Sequence, residues 1–172
     1  QVTLQKKDRG REELREALAS GNQFRVHYQP QVGPEGNIVG IEALLRWVHS
    51  RLGLISPEQF VPATGMRDPS GKPILWESCV TINTDSWGYN KYETEFKTDR
   101  DLIRMLIEVV SKGGNLLLNL GPKPDGTIQP EFATRHNAIG EWMRANGDSI
   151  YGTTASPFSR LPFFGRATVK GR

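Results

Sequence analysis

Of the 172 residues only Cys79 is a cysteine, so the chain forms no internal disulfide, and no Cys or His cluster has the spacing of metal ligands. Long apolar runs are missing too: Leu116-Leu117-Leu118 is as long as such a run becomes, and no segment reads as a membrane-spanning helix. Gln1 opens the sequence without a charged-then-apolar leader, so no signal peptide is expected and a cytoplasmic setting is the default. One-sided charge is absent as well. The net charge of +3 is spread evenly, with 22 basic and 19 acidic residues. A nucleic-acid partner would want that charge gathered on one face or tail, so none is expected. An unremarkable composition, 37% hydrophobic and 24% charged with 18 Gly and 11 Pro, excludes collagen, coiled-coil, low-complexity and wholly disordered chains.

What is present is a succession of short periodic segments. Leu14, Ala17 and Leu18 share a helical stripe that Gly21 should close. Phe24 to Gln29 alternates as a strand that Pro30 should end, and Ile38 to Trp47 reads as a second strand after the Gly33-Pro34-Glu35-Gly36 turn. Ser56-Pro57 marks a helix start. Residues 64–73 are dense in helix and strand breakers and suggest a boundary, giving segments 1–66 and 67–172 within one fused folded unit. Ile74 to Ile82 reads as a strand, Asp99 to Lys112 as a helix capped by Thr98, and Asn115 to Leu120 as a buried strand. Pro130 to Ala145 reads as another helix, and Ile150-Tyr151 as the start of a last strand. Strands alternating with such helices predict an α/β fold: a partial (β/α) barrel-like parallel sheet of about five strands with flanking helices. A complete eight-stranded barrel normally needs about 250 residues, more than this chain has.

Two resemblances attach to these segments. Tyr28-Gln29-Pro30, Ile41-Glu42-Ala43-Leu44-Leu45-Arg46-Trp47 and Gly53 to Phe60 resemble the start of EAL domains, which hydrolyse cyclic di-GMP with two divalent metals on a barrel. The resemblance runs from Arg11 to Ala63. It implies that Glu42 is a metal ligand, for an ion such as magnesium, and that Gln29 and Arg46 face the dinucleotide. The family's later metal-binding motifs are not found here, and one glutamate does not hold two ions about 4 Å apart.

From Pro73 to Gly171 the sequence resembles the last part of the catalytic barrel of α-L-fucosidases. The motifs are Trp76-Glu77-Ser78-Cys79, Trp87-Gly88-Tyr89, Ser111 to Pro122, Asp125-Gly126 and Asn146 to Gly152. Those enzymes retain configuration, with a nucleophilic carboxylate and an acid/base carboxyl about 5–5.5 Å apart. By resemblance Glu77 is the candidate acid/base, and a tryptophan beside a carboxylate can shield it from water as a general acid requires. Asp85 is a weaker candidate for the second carboxylate, and Trp87 and Tyr89 are candidates for stacking on a sugar. Cys79 reads as a small buried hydrophobe.

Taken together the motifs suggest a chimeric or shuffled scaffold of two hydrolase fragments without native activity. The alternatives are residual α-L-fucosidase-like hydrolysis through Glu77 and a cyclic di-GMP-binding module. No cofactor is expected unless Glu42 binds its metal. A carbohydrate or nucleotide is the implied ligand. Unpaired strand edges predict self-association, with a dimer closing edge to edge.

Overall fold

The computed structural model describes residues 12–55, 57–84, 86–161 and 163–171. Contacts divide the chain into two compact units, one ending at Phe60 and the other starting at Val61, upstream of the 66/67 boundary expected from the breaker cluster.

The first unit begins with helix α1 over 12–20. Gly21 closes it at φ 65°, with its N–H donating to the Ala17 carbonyl at 3.1 Å, the left-handed stop that glycine adopts at little cost. Strand β1 (Phe24–Val32) and strand β2 (Ile38–His49) then form an antiparallel hairpin, and β3 (Gly53–Ile55) pairs antiparallel with the end of β2. This differs from the all-parallel sheet expected. A parallel connection needs a dozen or more residues, and the short link from Gly33 to Asn37 allows only the antiparallel return. Pro30 does not end β1 either. It pairs opposite Ile41 on a strand at the sheet edge, where a missing N–H breaks no ladder. A short helix, α2 (Pro57–Phe60), follows. Ala17, Trp47 and Ile55 form the core of this unit, with Leu14, Phe24 and Phe60 packed around them. The Trp47 indole donates to Gln23 Oε1 at 3.1 Å, so its one polar atom is satisfied.

The second unit is built on β4 (Trp76–Thr81), α3 (Asp99–Ser111) and β5 (Gly114–Asn119), a βαβ unit whose strands are parallel from Trp76 opposite Gly114 to Thr81 opposite Asn119. Thr98 caps α3 by accepting the Asp101 N–H at 3.2 Å, and Asp99 and Asp101 complement the positive end of its dipole. Helix α4 (Pro130–Asn146) starts with Pro130 in its first turn and runs into a 3₁₀ turn, Gly147–Ser149. Ile150 and Tyr151 lie in a turn, not a strand; the short antiparallel pair β6 (Thr153–Thr154) and β7 (Val169–Lys170) comes after them. Ile82, Leu102 and Phe132 are the buried centre of this unit, with Phe96, Leu118 and Ile139 against them. The described strands therefore make three small sheets, of which β4–β5 alone is parallel.

Candidate active site

Period two along β4 sends Trp76, Ser78 and Val80 to one face of the β4–β5 pair and Glu77, Cys79 and Thr81 to the other. The first face is packed. Ser78 and Val80 are buried, and Leu118, opposite Val80, joins the core under α3 and α4. The second face is open toward the strand starts, where Glu77 and Asn115 stand opposite each other and are exposed and Leu117 is 45% exposed, while Thr81 at the other end is buried. The half-buried Cys79 donates its thiol to Glu77 Oε1 at 3.6 Å.

The same alternation corrects one expectation. Trp76 does not shield Glu77, because adjacent strand residues point to opposite faces. Its ring lies over Gly114, where a Cβ would come within 2.5 Å of the indole, and its N–H donates to the Lys112 carbonyl at 3.1 Å. Glu77 is left facing solvent.

At the carboxyl ends of the two strands a polar network fixes the loop that follows β4. Thr81 Oγ1 donates to Asn83 Oδ1, and Asn83 Nδ2 donates to Ser86 Oγ at 2.6 Å. The Ser86 hydroxyl donates to the Gly88 carbonyl at 3.0 Å. Lys97 reaches under the loop, its ammonium donating at 2.8 Å to the carbonyls of both Thr81 and Asn83. Burial pulls the Lys97 pKa below its ordinary value, while the Glu93 charge works in the opposite direction. From the other strand, Asn119 Nδ2 donates to the Trp87 carbonyl. Gly121 lets the backbone of Gly88 and Tyr89 approach so closely that a Cβ there would lie 2.7 Å from it. Trp87 and Tyr89 are thus held above the strand ends with 56% and 38% of their surface exposed.

Of the residues singled out by motif, Glu77, Trp87 and Tyr89 fall in the second unit on or after β4, whereas Gln29, Glu42 and Arg46 fall on the hairpin of the first. Gln29 stands opposite Glu42 mid-hairpin, and Arg46 opposite Arg25 near the hairpin's open end. The Arg46 guanidinium donates to the carbonyl of its neighbour Leu45 at 3.0 Å. The side chains of Gln29 and Glu42, and the whole of Asp85, lie outside the described residues. No group of three or more His, Cys, Asp or Glu residues is placed to hold a metal ion among the described residues. No helix among them is long and apolar enough to cross a membrane.

Lys97, Asn83 and Ser86 escaped the sequence reading. Lys97 sits in Glu95-Phe96-Lys97-Thr98, where a lysine before a helix cap reads as solvated, and no motif marks it. Two concavities lie away from these residues. One of about 340 Å³ is lined by Glu13, His49 and Arg51 among others, and one of about 240 Å³ by Ile107, Trp142 and Arg166 among others. Among the described residues the candidate site is the exposed Glu77 with the exposed rings of Trp87 and Tyr89.

The sequence pattern described as Alpha-L-fucosidase matches residues 38–148, well over half of the chain. The chain belongs to the α-L-fucosidase family. The fucosidase match begins at the start of β2, so it takes in Glu42 and Arg46 as well as Glu77. The chain is 46% identical over 80 residues to an α-L-fucosidase of Branchiostoma floridae. It is 45% identical over 83 residues to the plasma α-L-fucosidase of Homo sapiens. These alignments cover 45% and 47% of the chain and 18% of each relative, so this fucosidase-family chain spans under a fifth of their length. Among solved structures, α-L-fucosidase isoenzyme 1 from Paenibacillus thiaminolyticus superposes with a TM-score of 0.59 at 45% identity. That superposition covers 65% of this chain and 26% of the other.

Proposed function

We propose that the chain carries the acid/base half of an α-L-fucoside hydrolase site, with Glu77 as the acid/base and Trp87 and Tyr89 as the sugar platform. The observation that supports this reading most is the placement of Glu77 on the solvent-facing side of a parallel strand pair inside the family match. In a retaining reaction one carboxylate attacks the anomeric carbon while the acid protonates the departing oxygen; the acid then deprotonates the water that frees the sugar. Glu77 has the reach for the second role, since nothing packs over it and its neighbour Cys79 donates to one oxygen, leaving the other for a substrate. The exposed rings of Trp87 and Tyr89 offer flat apolar surfaces for the C–H face of a fucose. This chemistry uses carboxyl groups alone and calls for no cofactor.

The test exploits the leaving group. Protonation matters most when the departing oxygen is a poor leaving group, so Glu77→Gln should slow cleavage of an α-L-fucosyl disaccharide by about 100-fold or more. It should slow a nitrophenyl α-L-fucoside much less. Equal and measurable rates for the variant and the original chain on the disaccharide would refute the assignment.

A second reading is favoured by one observation: Glu77 is the sole carboxylate on β4 and β5, whereas retaining hydrolysis needs two. On this reading the chain is a scaffold without turnover that joins an EAL-like first segment to a fucosidase-family second one. An inert chain that nonetheless folds would support it. Heat released on titration with cyclic di-GMP would instead point to a nucleotide site using Arg46 and Gln29.

A further inference from the structure

Lys97 grips three consecutive carbonyls at the end of β4. Its ammonium donates to those of Thr81 and Asn83, and its backbone N–H donates to that of Ile82, each at 2.8 Å. Asn83 also pairs with Phe96 in an isolated antiparallel bridge. Residues 96 and 97 therefore fix where the chain leaves the strand for Trp87, and helix α4 fixes residues 96 and 97. Phe132 and Arg135, three residues apart, share a face of that helix. Phe132 packs edge-on against Phe96, and the Arg135 guanidinium lies 5.2 Å from the centre of the same ring. Arg135 Nε donates to the Lys97 carbonyl at 2.6 Å, while Nη1 holds the guanidinium to its own helix through the Glu131 carbonyl at 2.9 Å. Hydrogen bonds from a cation are about twice as strong as neutral ones, so this is a firm tie between α4 and the segment that carries Lys97.

We infer that Arg135 is a positioning residue of the sugar platform: acting through Lys97, it sets the place of the loop that presents Trp87 and Tyr89. The order passes from Asn83 to Ser86, whose hydroxyl takes the Asn83 amide and donates to the Gly88 carbonyl. A displacement of about 1 Å in a positioning group is enough to cost a reaction about 100-fold, so a remote tie of this kind matters to the site. The consequence for a sugar rests on the reading of Trp87 and Tyr89 given above; the positioning of the loop rests on the hydrogen bonds.

The test reads the tryptophan indole resonances of the full 172-residue chain by NMR. Arg135→Met keeps the apolar stem and removes both donor and charge. It should displace the Trp87 resonance and leave in place that of Trp142, two turns along the same helix. Lys97→Met should displace Trp87 in the same direction. The double variant should move it by less than the sum of the two, as links in series do. Arg135→Lys is the second probe should Arg135→Met fail to fold: it keeps a cation near Phe96, shifts the donor one atom along the side chain, and should displace Trp87 as well. Circular dichroism verifies folding. The proposal is overturned if Trp87 stays in place in folded variants, if Trp142 moves as far as Trp87, or if the two single displacements add. Methyl α-L-fucoside separates this claim from the platform. It should perturb Trp87 and Tyr89 in the original chain, and Arg135→Met should weaken its binding about threefold or more. A sugar that perturbs neither ring refutes the platform and leaves the positioning of the loop to the Trp87 resonance. A bound sugar whose affinity is the same in Arg135→Met overturns the proposal.

Discussion

The β1–β2 hairpin and the β4–β5 pair each have one packed and one open face, yet the open faces carry different information. In the hairpin, Phe24 and Trp47 pack inward while Arg25, opposite Arg46, lies on the reverse face with the exposed His27. Antiparallel sheets commonly keep one face wet. Parallel strands rarely do. On β4–β5 the exposed residues of the open face are Glu77, Asn115 and Leu117. Packing on the hairpin's inward face is confined to the end at Phe24 and Trp47, since Tyr28 and Ile41, which share that face by alternation, are exposed. Strand direction separates the two regions.

The strongest way to break the comparison is through the packed face of the second unit. Phe132 is 1% exposed and sits edge-on to Phe96 with ring centroids 6.0 Å apart. Phe132→Ala should cost about 3–5 kcal/mol, read as a lowered urea midpoint with early loss of hydrogen-exchange protection in α3 and α4. The next largest effect is expected at Gly121. A methyl there would press on backbone atoms of Gly88 and Tyr89, which cannot swing aside as a side chain would. Gly121→Ala should cost about 1–3 kcal/mol and shift the Trp87 and Tyr89 resonances while those of Trp47 stay in place. Unmoved Trp87 resonances would mean that the loop is not held by this contact.

These contacts were unequally legible in the sequence. Helices α3 and α4 end within a residue of where Thr98, Gly113, Pro130 and Gly147 place their limits, because caps and breakers act locally. The direction of β1 and β2 was not read from their alternation, since the period is the same in parallel and antiparallel strands. The short link after Gly33 held that information. The opposite facing of Trp76 and Glu77 was likewise present in the period-two rule. Lys97 was out of reach, because its two carbonyl partners come from Thr81 and Asn83, and only the folded loop brings them together.

A smaller effect tests the ion pairs behind the packed face. Burial alone would raise the Glu108 pKa. The hydrogen bond and charge of Lys112, 2.7 Å away, and the paired Arg166 outweigh that and hold it below the ordinary glutamate range. A carboxyl with a depressed folded pKa contributes stability above its unfolded value and loses it as pH falls through the folded one. Stability should therefore decline between about pH 5 and pH 3, and Glu108→Gln should flatten that part of the profile, with a cost near neutrality under about 1 kcal/mol. A profile of unchanged slope in the variant would place the acid sensitivity at other carboxyls, such as Asp68 and Asp125, whose own pKa values are lowered by hydrogen bonds from Ser70 and Thr127.

The smallest effect sharpens the comparison most. If the second face of β4–β5 is open in the isolated chain, Leu117→Lys adds a charge to water and not to a core, and stability should change by no more than about 0.5 kcal/mol. Charging a covered position would do otherwise: Leu118, its neighbour on the packed face, lies against Ile82, Leu102 and Phe132, and Leu118→Lys should unfold much of the unit. Urea titration of this adjacent pair measures the asymmetry directly. Near-equal losses would mean that both faces are buried in solution. A neutral Leu117→Lys beside a ruinous Leu118→Lys would show that the β4–β5 pair is packed on the Leu118 face and solvated on the Leu117 face.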